Sequence, residues 1–115
     1  MGLLVARMRP RDERAGVLTA SLAIDLDHAP SELGHEWLRT GGRGRPYPHT
    51  AFTLLALLAG RGPFWRGAAI GLAAHFARDL TDPTTGVKLL WPLSQRELRL
   101  PHAAYPLAVG ALAAR

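Results

Sequence analysis

The segment HFARDLTDPTTGVKLLWP, residues 75–92, sets His75 and Asp79 four residues apart at the end of a stretch built almost wholly from Gly, Ala, Ile and Leu. On a helix this spacing stacks both side chains on one face, one turn apart and within reach of a common ion. A His–Asp hydrogen bond or a solvated helix end uses the same spacing, so the pair by itself leaves both chemistries open. AIDLDH, residues 23–28, repeats the pattern with Asp25 and His28 at i, i+3, and Asp27 joins them only if the helix bends at Pro30. Carboxylates at a helix C-terminus oppose the helix dipole, and a divalent cation would offset that cost as readily as solvation would. His49 follows a Gly/Arg/Pro loop, where a rigid turn can aim it inward. Arg45, four residues earlier, offers a planar donor fork to phosphate or carboxylate. His35 and His102 have no carboxylate company of this kind and read as surface residues. The chain has no cysteine, so a metal must be held by His, Asp, Glu or water, a donor set open to zinc, manganese or magnesium.

These residues need elements to position them, and the pattern throughout is helical, with no convincing strand or repeat. Ala15–Ile24 predicts an apolar helix running into Asp25–His28 and stopped by Pro30. Ser31–Leu38 predicts a short helix capped by Ser31, and TGGRGRPYP (Thr40–Pro48) a loop. Thr50–Ala59 predicts a second apolar helix, capped by Thr50 and broken by GRGPF (Gly60–Phe64). Arg66–Leu80 predicts a third, ended by TDPTTG, and Ala103–Ala114 a fourth in which Pro106 marks a kink or the start. Gly67, Ala68, Ala69, Gly71, Ala73 and Ala74 leave the third helix small on its surface, which lets neighbouring backbones approach closely, a habit common among membrane helices and shared by alanine-rich soluble bundles. The expected fold class is therefore all-α, about four short apolar helices in a membrane-embedded or membrane-associated bundle.

At 115 residues the chain has room for one modest core and excludes a two-domain enzyme. The net charge of +5 rests on thirteen arginines against one lysine, a balance that suits nucleic acid, anionic lipid head groups or a phosphorylated substrate. Scattered arginines without a helix-turn-helix pattern or an aromatic platform argue against nucleic acid. Arginines at 7, 9, 11 and 14 interrupt the opening segment before a secretory signal forms. The longest charge-free stretches, Pro46–Gly60 and Leu100–Ala114, fall short of the roughly 18–20 apolar residues of a membrane span.

Taken in order, AIDLDH, RPYPHT (Arg45–Thr50) and HFARDLTDPTTGVKLLWP resemble a bacterial family of small inner-membrane metal-dependent hydrolases, formerly a domain of unknown function. In that family an Asp-x-Asp-His element, an Arg-x-x-x-His-Ser element and a His-x-x-x-Asp helix with a following Thr/Gly turn and apolar WP segment recur between short hydrophobic helices. The likeness covers about residues 15–101 and implies a single hydrolase-like domain over 1–115. It implies a metal shell of Asp25, Asp27, His28, His49, His75 and Asp79, with Arg45 as an anion contact and the bacterial cytoplasmic membrane as the site of action. Ile24 stands where the family has proline, Thr50 where it has serine, and the family's first hydrophobic helix with its extra histidine has no counterpart in the arginine-rich opening.

The expected activity is hydrolysis in which a divalent ion lowers the pKa of water and polarises a phosphoryl or acyl oxygen. Asp27 or Asp79, whichever is not a ligand, is the expected general base, Arg45 holds substrate, and the substrate is a phosphorylated or lipid-like ester. Two other classes compete, a non-catalytic helical membrane protein with a residual metal site and a small basic nucleic-acid-binding protein, and the alternative to a membrane location is the cytoplasm.

Overall fold

The computed structural model describes residues 2–26, 28–35, 47–84 and 86–114. Among them six helical segments follow in order: α1 (Gly2–Arg7), α2 (Arg11–Leu26), α3 (Ala29–Glu32), α4 (Ala51–Ala59), α5 (Pro63–Leu80) and α6 (Ala104–Ala113). The sole strand-like pairing among the described residues is an antiparallel bridge between Val87 and Leu98. The all-α expectation holds.

Where an element starts and stops follows from local chemistry. Pro63 begins α5 instead of closing a break, because a proline at the first helical position gives up only an N–H that has no helical partner. Thr81 ends the same helix, its hydroxyl donating to the carbonyls of Ala77 and Arg78 at 3.0 and 2.9 Å. Asp82 Oδ1 then accepts from the Thr84 amide at 2.8 Å and fixes the turn. α3 begins two residues before Ser31, with Pro30 in its first turn. It then closes at Gly34, whose φ of 90° and the His35 N–H to Pro30 carbonyl bond make a left-handed cap. The expected helix over Ser31–Leu38 is thus replaced by one turn over Ala29–Glu32, and residues 36–38 lie outside those described. Pro106 falls in the first turn of α6 and breaks nothing. α1 has no counterpart in the helices expected from the sequence; it supplies Val5 and Ala6 to the core and leaves Leu3, Leu4 and Arg7 outside.

The molecule is organised on the crossing of α2 and α5. A Cβ on Gly67 would run into the Glu13 backbone, one on Gly71 into that of Val17, and one on Gly16 into the Phe64 carbonyl. The small-residue texture of α5 therefore serves backbone-to-backbone contact with α2. On one side of the crossing Val5, Ala6, Val17 and Ala74 form a core with Leu18, Ile70, Val109 and Leu112. On the other, Ile24, Leu72 and Phe76 pack with Leu54, Leu57 and Leu89. At the outer end Glu13 is buried between arginines, receiving Arg9 Nε at 2.8 Å and Arg66 Nε at 3.0 Å.

No described helix is long and apolar enough to cross a membrane. The two most apolar ones, α4 and α6, have nine and ten residues, about 15 Å of helix against the roughly 30 Å of a bilayer's hydrocarbon. Of the membrane-embedded or membrane-associated bundle expected from the sequence, embedding finds no spanning helix among the described residues. α4 nonetheless leaves Phe52, Leu55 and Leu58 substantially exposed, three residues apart along one face.

Candidate metal centre

Three polar side chains converge at the inner side of the second core. His75 and Asp79 are presented by the last turns of α5, and His49 enters from the segment just before α4. Thr50 occupies the N-cap of α4 with extended backbone but forms no side-chain cap bond. The start of α4 is held instead by the Ala51 N–H, which donates to the Leu89 carbonyl at 2.8 Å. The KLLWP segment thereby holds the chain two residues after His49, and the ring of Phe76 lies 6.2 Å from that of His49.

The donor atoms form a nearly equilateral triangle. His49 Nε2 to His75 Nε2 is 3.3 Å, His49 Nε2 to Asp79 Oδ2 is 3.3 Å, and His75 Nε2 to Asp79 Oδ2 is 3.3 Å. All three residues are buried, with 0%, 8% and 4% of their surface exposed for His49, His75 and Asp79. Tetrahedral coordination with bonds of about 2.0–2.1 Å separates neighbouring donors by about 3.3–3.4 Å. Octahedral magnesium, with similar bonds, brings them to about 2.8–3.0 Å. The edges of the triangle fit one face of a tetrahedral shell, and the neutral-nitrogen and carboxylate donor set suits zinc-like ions.

Pairwise hydrogen bonding explains the arrangement less well. N–H···O bonds cluster near 2.9–3.0 Å, and a carboxylate oxygen brings no proton, so two imidazole N–H groups can serve at most two of the three edges. Convergence of all three atoms on one point is what a shared cation needs. A cation there would also compensate the carboxylate of Asp79, which is costly to bury without opposite charge.

Asp25, on the last turn of α2, lies with Oδ1 3.8 Å from His75 Nδ1, on the opposite edge of the ring from the triangle. At this distance the contact is electrostatic and longer than a hydrogen bond. It favours a proton on Nδ1 and leaves Nε2 as a lone pair facing the cluster, the relation in which a carboxylate orients a metal-binding histidine. The structure thus sets Asp25 behind His75, outside the cluster. His28 stands beside the cluster, its ring edge-to-face with His49 at a centroid distance of 5.2 Å. The cluster whose donors lie within 4.8 Å of one another comprises His49, His75 and Asp79. Asp27 and Arg45 lie outside the described residues. His35 and His102 are exposed.

An apolar groove whose lining includes no residue of the cluster had no separate place in the sequence reading. Ile24 and Pro48, each the chain neighbour of a site residue, line an apolar cavity of about 440 Å³ together with Leu57, Trp65, Ala68 and Leu72. The signal was present in the spacing: positions 65, 68, 72, 75 and 79 step by three and four along one face of α5.

Comparison of the chain with protein-family profiles, with curated proteins and with solved structures returns no match.

Proposed function

We propose that the chain is a divalent-metal-dependent hydrolase in which His49, His75 and Asp79 hold the ion, acting at a bacterial membrane surface on a phosphorylated or lipid-like ester. The observation that carries this reading is the buried 3.3 Å triangle of two imidazole nitrogens and a carboxylate oxygen. A divalent ion bound there supplies the acidity that makes water a nucleophile near neutral pH and polarises the acyl or phosphoryl oxygen.

The chain's own residues set the rest. In this reading Asp79, whose Oδ2 lies 3.3 Å from both imidazole nitrogens, serves as a ligand rather than as the general base, and its negative charge offsets half that of a divalent cation. Asp25, 3.8 Å from His75 Nδ1, supplies negative charge on the side of the ring away from the cluster. Burial of His49 and Asp79 keeps the cluster dry, which strengthens every electrostatic contact made within it. Water adds across the ester bond, giving the acid and the alcohol. Association with a membrane surface is supported by the exposed stripe of Phe52, Leu55 and Leu58 on α4 together with the chain's net charge of +5.

The test is turnover of phosphate monoesters, phosphate diesters and carboxylic esters of p-nitrophenol by protein loaded with zinc, manganese or magnesium. Metal-dependent release of p-nitrophenol, abolished by chelation and by His49→Ala, is expected. A fully metal-loaded protein that turns over none of the three classes, while unfolding at lower temperature on metal removal, would make the cluster a structural clip.

A further inference from the structure

A second cavity, of about 270 Å³, lies on the far side of His75 from the metal cluster. It is bounded by the face of α2 that carries Ser21 and Asp25, by the last turns of α5 with His75 and Arg78, and by the start of α1 at Gly2. Ser21 and Asp25 are one turn apart on α2, and His75 and Arg78 one turn apart on α5, so polar groups from both helices line one small space.

Two of these groups lack the company such groups ordinarily keep. Ser21 Oγ is fully buried and has no hydrogen-bond partner among the described residues, which is costly for a hydroxyl. A Cβ on Gly2 would collide with that oxygen, so the α1 backbone closes this side and a partner has to come from the cavity. Arg78 is exposed, and its guanidinium is in no ion pair with a described residue. Opposite it stands Asp25, whose side chain is 59% exposed and whose carboxylate only accepts hydrogen bonds. The cavity therefore presents a cationic donor fork, a hydroxyl and an acceptor-only anion together. A metal ion would be drawn to Asp25 and repelled by Arg78. Sulfate, which carries no proton near neutral pH, would satisfy Arg78 and be repelled by Asp25. Inorganic phosphate meets both, because it has anionic oxygens for the guanidinium and keeps at least one P–OH to donate to the carboxylate.

We propose that this cavity between α1, α2 and α5 is a binding site for inorganic phosphate, with Arg78 and Ser21 donating to its oxygens and Asp25 accepting from its P–OH. The volume lies just below the roughly 300–1,000 Å³ of drug-sized sites, which suits one compact group. The bound phosphate lies on the Nδ1 side of His75, away from Nε2, and is distinct from any anion held by a metal in the cluster.

The experiment measures binding of inorganic phosphate, sulfate and glycine to the protein by calorimetry near neutral pH at constant ionic strength, with and without zinc. Phosphate should bind at least about tenfold more tightly than sulfate in both cases. Arg78→Ala and Ser21→Ala should each weaken phosphate binding about tenfold, the effect of losing one hydrogen bond to a charged group, with helix content as in the wild type. Asp25→Asn, which adds a donor where there was only an acceptor, should reduce the preference for phosphate over sulfate to under about twofold. Arg96→Ala, at an exposed position outside the cavity, should change none of these values. Equal affinity for phosphate and sulfate overturns the proposal, as does phosphate binding that survives both Arg78→Ala and Ser21→Ala. Binding seen only with zinc would place the anion on the metal, and binding of glycine in place of phosphate would make this a site for a zwitterion; either result also overturns it. Phosphate binding in a protein that takes up no zinc would uphold this site while the hydrolase reading fails.

Discussion

Replacing Gly67 with alanine probes the crossing on which the site depends. In an open helix position the exchange stabilises by about 0.8–1.0 kcal/mol, because alanine is the better helix former. At Gly67 the new methyl would overlap the Glu13 backbone, which cannot rotate away as a side chain would. Overpacking costs about 1–3 kcal/mol, and a backbone neighbour places this case in the upper part of that range. The net loss should be about 1–2 kcal/mol, or on the order of 4–8 °C in melting temperature. Gly110 on α6 is the internal control. No atom lies within 4 Å of a Cβ built there, so Gly110→Ala should stabilise by about 0.5–1 kcal/mol. Urea denaturation followed by circular dichroism reads both variants, and opposite signs are expected. A Gly67→Ala protein at least as stable as wild type would refute the close crossing of α2 and α5, and with it the placement of Asp25 beside His75.

Glu13→Gln removes the carboxylate that the buried Arg9 guanidinium meets and should cost about 3–5 kcal/mol in a denaturant titration, whereas Arg66→Ala, whose side chain is 64% exposed, should cost under about 1 kcal/mol. Equal effects would place the ion pair in solvent. Leu72→Ala, at 1% exposure in the second core, should cost about 2–5 kcal/mol by the same measurement. Asp25→Asn removes the charge behind His75 and should weaken metal binding on the order of tenfold without loss of helix content, and an unchanged dissociation constant would deny Asp25 any orienting part.

The helical class was legible because glycine and proline punctuate the chain: the observed α4 begins and ends within a residue of its expected bounds. His75 and Asp79 were legible for a related reason, since i, i+4 spacing on a helix is itself geometry. His49 was named through the family resemblance and not from spacing, because it is 26 residues from His75 and reaches it through the packing of α4 and the Ala51–Leu89 bond. Asp25 shares its local spacing with His28, yet the crossing angle of α2 on α5 aims it at the outer nitrogen of His75, and no pattern within AIDLDH encodes that. α1 has six residues, too few for a helical period to show. The glycine and alanine texture of α5 is one that membrane helices share, but close approach of two backbones requires it in any solvent.

Metal stoichiometry tests the central claim most directly. Wild-type protein and the His49→Ala, His75→Ala, Asp79→Ala and His102→Ala variants are dialysed against zinc, manganese or magnesium, and bound metal and circular dichroism are measured together. One zinc ion per chain is expected in the wild type and in His102→Ala, with zinc preferred to magnesium because the 3.3 Å edges suit a tetrahedral shell. His49→Ala, His75→Ala and Asp79→Ala should lose the metal while keeping their helix content, since ligation is what has been removed, alanine is the better helix former at positions 75 and 79, and position 49 lies outside the helices. Equal metal in all five proteins, or none in the wild type with any of the three ions, would contradict a metal centre at His49, His75 and Asp79.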